Sequence, residues 1–127
     1  MTFPWEEYLR LAEALVQQRG TFAHEEACCR ASISRAYYAL YGAARQYARA
    51  RAHLQVAGRS DDHRRLIDHF QQGPSGAHQT LGHVLRRLRT ARNRADYDET
   101  VSDVVRMAET AVLRARTAFA VLRALQE

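Results

Sequence analysis

The sequence predicts an all-α domain, an antiparallel up-and-down four-helix bundle with one short additional helix. Apolar residues recur at three- and four-residue spacing through five segments. Gly, Pro and short polar turns separate those segments, and no stretch alternates apolar with polar side chains as a half-buried strand does. A length of 127 residues and an apolar content of 46% suit a single domain over residues 1–127 with one core.

Thr2 is placed to cap the first helix, with Pro4 in its opening turn and Glu6 and Glu7 near the positive end of the helix dipole. Its apolar stripe is Trp5, Tyr8/Leu9, Ala12 and Leu15/Val16, and Gly20 stops it. Thr21 is the cap expected for the second helix, which Glu25 and Glu26 support and which runs without a breaker to about His53. Leu54 to Arg59 forms a connection. Ser60, followed by Asp61 and Asp62, reads as the cap and acidic first turn of a short helix carrying Leu66, Ile67 and Phe70. Gly73-Pro-Ser-Gly76 turns the chain into the fourth helix, whose inner face is Leu81, Val84/Leu85, Leu88, Ala91/Arg92 and Ala95, ending near Tyr97 or Asp98. Thr100-Val-Ser-Asp103 has the form of a capping box. The last helix then carries Val101, Val104/Val105, Ala108, Val112, Ala115, Phe119 and Leu122, reaching nearly to the C-terminus.

The second helix is the centre of this arrangement. Ile33, Tyr37, Leu40, Tyr41, Ala44 and Ala48 share one stripe, with Ser34, Tyr38 and Arg45 along its edge. A second face repeats Arg35, Ala39, Gly42 and Gln46. Small residues at that spacing let another backbone come close, so this face is a candidate dimer surface.

Formal charge is +5, and all nineteen basic residues are arginine. Six arginines fall between Arg45 and Arg65 against Asp61 and Asp62, whereas five fall between Arg86 and Arg94 with no acid among them. Such a patch suits phosphate backbones. Cys28 and Cys29 are adjacent within helical pattern and read as reduced residues of a cytoplasmic protein. Nothing approaches the ~18 consecutive apolar residues of a membrane span, and the first residues lack the pattern of a signal peptide. No metal site is expected: the six histidines include no pair at three- or four-residue spacing, and the inward Glu-x-x-His pairs of a di-iron bundle are missing. With no cofactor motif and no Gly-rich phosphate loop, a bound phosphate would have to be held by Arg35, Arg45, Arg89 and Arg92, with Tyr38 or Tyr97 available to stack a base.

Arg92-Asn93-Arg94-Ala95-Asp96-Tyr97-Asp98 closes the fourth helix. The apolar stripe through Leu85 and Leu88 carries Arg92 inward, where its guanidinium needs a partner. Asp96, one turn on, is the nearest. Asn93 and Tyr97 stand one turn apart on an adjacent face, and Arg94 with Asp98 forms a more exposed pair.

Ser32-Ile-Ser-Arg-Ala-Tyr-Tyr-Ala-Leu-Tyr-Gly-Ala-Ala-Arg45, followed by Arg92-Asn-Arg-Ala-Asp-Tyr-Asp98, resembles the HEPN superfamily, named for higher eukaryotes and prokaryotes nucleotide-binding. The closer resemblance is to small prokaryotic HEPN proteins that accompany a minimal nucleotidyltransferase. It implies a homodimeric helical bundle in a toxin–antitoxin-like module, with the arginine motifs of two protomers facing one another across a cleft. In catalytic members the motif runs from Arg and a polar residue to His and cleaves RNA without metal. Arg92 and Asn93 match, but Tyr97 stands at the histidine position and no histidine follows it. That departure weighs against an endoribonuclease and leaves a toxin-like subunit binding RNA or nucleotide, with Arg92, Asn93, Asp96 and Tyr97 as its motif. The alternative is a non-catalytic interaction protein that positions its nucleotidyltransferase. The resemblance also implies a tyrosine beside the motif that the partner tags with AMP. Tyr97 is the candidate, although the family's tyrosine lies two residues beyond the histidine, where this chain has Glu99.

Overall fold

A computed structural model describes residues 2–56, 58 and 60–127. Five helices account for most of them: α1 (Glu6–Gln17), α2 (Glu25–Arg51), α3 (Asp62–Gln71), α4 (Gly76–Tyr97) and α5 (Val104–Gln126). No strand occurs among the described residues. Ala57 and Arg59, expected in the connection between α2 and α3, lie outside them.

The helices pack as a bundle around α2, which touches all four of the others. Its expected stripe is the middle of one continuous core: Ile33, Tyr37, Leu40, Ala44 and Ala48 are fully buried and Tyr41 nearly so. Around them close Leu9, Ala12 and Val16 of α1, Leu66, Ile67 and Phe70 of α3, Leu81, Leu85 and Leu88 of α4, and Val112, Phe119 and Leu122 of α5. Each of the larger side chains contributes about 1.5–3 kcal/mol on burial. Cys28 and Cys29 are free and buried in this packing, and burial raises the Cys29 thiol above its ordinary pKa.

The helix starts differ from expectation in four places. Thr2 does not cap α1; Trp5 occupies that position, and the Thr2 hydroxyl accepts a hydrogen bond from Gln46 Nε2 at 2.8 Å. His24 rather than Thr21 caps α2, its ring nitrogen accepting from the Ala27 amide at 3.4 Å. Asp61 rather than Ser60 precedes α3. The capping box at Thr100 is not formed: Val101 turns inward, Asp103 takes a left-handed conformation (φ 51°) that Asp tolerates, and α5 begins only at Val104. Ser75 does cap α4, accepting from the His78 amide at 3.3 Å.

The small-residue face of α2 is also used differently. Ala39 is fully buried, and a Cβ at Gly42 would lie 2.1 Å from the Trp5 ring. That close approach is spent on α1 within the chain, so Ala39 and Gly42 are not free for a second copy. The Ser32 hydroxyl, buried in the same seam, donates to the Ala12 carbonyl at 2.6 Å. On the outer side, Glu6 and Glu13 of α1 pair with Arg123 and Arg116 of α5.

Candidate functional site

Three helices bring an aromatic and cationic cluster together at one end of α4. From α2 come Ser34, Arg35, Tyr37, Tyr38, Tyr41 and Arg45, from α4 Arg89, Arg92 and Asp96, and from α3 His63. Tyr37 has no exposed surface, and its hydroxyl meets His63 Nδ1 at 2.5 Å. The imidazole lies almost parallel to the Tyr41 ring, centroids 4.4 Å apart.

Arg92 sits over both neighbouring tyrosines, 5.5 Å from the Tyr37 ring centre and 5.3 Å from that of Tyr38. Its exposure is only 8%. The expected partner, Asp96, is 3.9 Å away, a distance for charge attraction without a hydrogen bond. Ser34 donates to the same carboxylate oxygen at 3.3 Å. The Nε groups of Arg92 and Arg89 are buried with no hydrogen-bond partner among the described residues. A buried N–H left unmade costs about 1–3 kcal/mol, more on a charged group. This cluster therefore holds cationic donors whose protein partners are incomplete.

The rim continues the pattern. Arg35 lies over Tyr8 and Tyr38 at 5.1 and 5.7 Å, and Arg45 over Trp5 and Tyr41, both at 5.5 Å. Thus Arg35, Tyr38, Arg45, Arg89 and Arg92, drawn from two distant stretches, surround one patch. No family model, curated protein or solved structure matches this chain. What the site does has to be read from its own geometry.

Burial raises the Tyr37 and Tyr41 hydroxyls above their ordinary pKa, so both are protonated donors at neutral pH. His63 is pushed the other way, first by burial and then by the charges of Arg89 and Arg92, which favour the neutral imidazole. Among the described residues no group of histidines, cysteines and carboxylates is arranged to hold a metal ion.

The motif at the end of α4 is divided. Arg92 and Asp96 join the cluster, while Asn93 is exposed and Tyr97 projects outward with 73% of its surface free. His63 is the residue that sequence reasoning passed over, because it lies on a separate segment before Arg92. A signal was present: His63 stands four residues before Ile67 and seven before Phe70, on the stripe that buries α3. Arg30 was also missed. It donates to the carbonyls of Ala95 (3.1 Å), Asp98 (2.6 Å) and Glu99 (3.2 Å), closing the end of α4 beside the motif.

Proposed function

We propose that this chain is a HEPN-type, toxin-like subunit that binds RNA or a nucleotide. It acts as a homodimer regulated by a separate nucleotidyltransferase, and its helices form an antiparallel up-and-down four-helix bundle to which α3 is the short addition. The observation that carries the binding reading is a pair of buried guanidiniums, Arg92 over the Tyr37 and Tyr38 rings and Arg89 whose charge acts on Tyr37 and His63, each with an Nε that has no hydrogen-bond partner among the described residues. A phosphate oxygen is an acceptor suited to these guanidiniums, and Arg forks bind phosphate in two-point geometry. Half-buried Tyr38 offers a face for a base. Binding is favoured over cleavage because Tyr97 replaces the motif histidine and points away from the cluster. His63 is the imidazole of the cluster, and burial with the charges of Arg89 and Arg92 holds its pKa below the ordinary value.

A second reading, a non-catalytic protein that positions a partner nucleotidyltransferase, draws on the burial of Arg92 between two tyrosines, which fastens α4 to α2. Titrating a labelled mixed-sequence RNA and labelled ATP in the presence of chelator separates the two. Wild type is expected to bind and Arg92→Met to lose at least tenfold in affinity. Equal binding by both leaves the positioning role. Strong chelator-resistant cleavage, lost in both Arg92→Met and His63→Gln, makes the protein an endoribonuclease instead.

A further inference from the structure

The α5-facing flank of α4 carries a second cationic feature, separate from the tyrosine cluster. Two adjoining depressions between α4 and α5, of about 480 and 260 Å³, share Ala91, Met107 and Arg114 and together make one groove. Arg86, Arg87 and Arg94 stand along its α4 side, Arg106 and Arg114 along its α5 side. Arg94 has a distant partner in Asp98 at 3.8 Å. Among the described residues, the guanidiniums of Arg86, Arg87, Arg106 and Arg114 meet no carboxylate, carbonyl or aromatic ring. Elsewhere on the surface such groups are engaged: Arg10 by Glu7, Arg116 by Glu13, Arg123 by Glu6, Arg51 by the Gln126 carbonyl.

Four guanidiniums without a contact partner line one groove whose lining, among the described residues, holds a single carboxylate, Asp103, an excess of positive charge that suits a polyanion. From Arg86 to Arg94 the rim extends about 12 Å along the helix, enough for more than one phosphate. Among the described residues no aromatic side chain lines the groove, so bases have nothing to stack on; it is suited to the backbone.

We infer that the α4–α5 groove is a sequence-independent track for the phosphodiester backbone of RNA, which delivers the strand to the tyrosine cluster on the other flank of α4. Taking RNA as the polyanion rests on the function proposed above. The charges and their lack of partners do not depend on it.

The test is a fluorescence-anisotropy titration of a labelled mixed-sequence 20-nucleotide RNA at several salt concentrations. It compares the full-length protein with a groove variant, Arg86→Gln/Arg87→Gln/Arg114→Gln, and a cluster-rim variant, Arg35→Gln/Arg45→Gln, each checked for native helicity and melting. The groove variant is expected to bind about tenfold more weakly at 0.1 M salt, with a salt slope shallower by about two units for three lost phosphate contacts on a single strand. It should lose affinity equally for oligouridylate and oligoadenylate. Unchanged affinity and slope in the groove variant, with loss in the rim variant, overturns the track and leaves the function standing. Loss in the groove variant alone supports the track and overturns the tyrosine cluster as the binding site. No RNA binding by wild type overturns both.

Discussion

Arg92 shows how a single buried cation divides stability from function. Its charge is attracted to two ring faces and to a carboxylate 3.9 Å away, yet its Nε has no acceptor. Replacing an imperfectly paired buried ion with an apolar side chain of similar volume is often neutral or stabilising. Arg92→Met is therefore expected to unfold in urea within about 1 kcal/mol of wild type, or above it, while phosphate binding falls. A loss of about 3 kcal/mol or more would make the residue a structural tie. His63 carries a different signature. Its folded pKa is lowered from 6.5, chiefly by burial and further by Arg89 and Arg92, with Asp62 opposing. The unfolded chain then binds more protons than the folded one in the window from 6.5 down to the folded value, so stability rises with pH there. This contribution is fully present above 6.5 and drains away as pH falls through the folded pKa. Thermal melts between pH 7.5 and 5 should show a falling Tm that His63→Gln flattens in part. The remainder is assigned to His69, whose pKa is also lowered by burial and by His78. An unaltered slope in His63→Gln would remove His63 from that balance.

At the scale of elements, two contacts decide how helices meet. Arg30 reaches across from α2 to three carbonyls at the end of α4 while Glu26 holds its Nε at 2.9 Å. The Ala95 carbonyl is among the groups a helix terminus leaves without partners, and those of Asp98 and Glu99 belong to the turn that follows it. Arg30→Ala should cost about 2 kcal/mol in denaturant unfolding, with the midpoint moving and the slope unchanged. It should also loosen the turn that presents Tyr97, visible as faster amide exchange over residues 95–99. Gly42 decides the α1–α2 seam. A methyl there meets the ring of the chain's single tryptophan, so Gly42→Ala is expected to destabilise by about 1–3 kcal/mol and shift the fluorescence of Trp5 to longer wavelength. An unshifted spectrum would mean that α1 moves as a unit instead.

For the whole molecule, the expected dimer has to use surface other than the Ala39–Gly42 face, which α1 covers. The exposed end of α4, with Asn93 and the 73% exposed Tyr97, remains open for it. Light scattering at micromolar concentration should give the mass of two chains, and Tyr97→Asp should halve it; a wild-type monomer ends the shared-cleft reading. Tyr97 is equally accessible to a modifying partner. Co-expression with a minimal nucleotidyltransferase should add the mass of AMP to a peptide containing Tyr97, and Tyr97→Phe should abolish the adduct. Among the described residues no helix is long and apolar enough to cross a membrane.

The sequence by itself determined the helices, their apolar faces and the inward course of Arg92, because each follows from spacing within one segment. The stripes from Leu9 to Val16, Ile33 to Ala48 and Ala108 to Leu122 bury as their periodicity requires. The Arg92–Asp96 pair was legible for the same local reason. Contacts between segments were not legible. Nothing in the spacing of α3 says that His63 will stack on Tyr41, or that Arg30 will close α4 some 65 residues later. The caps expected at Thr2, Thr21, Ser60 and Thr100 did not form; the Thr2 hydroxyl is held by Gln46 of α2, a partner from another segment that local spacing does not show. Gly42 makes the same point: its missing side chain announces a close approach, but only the packed structure shows that the approaching group is Trp5 of the same chain.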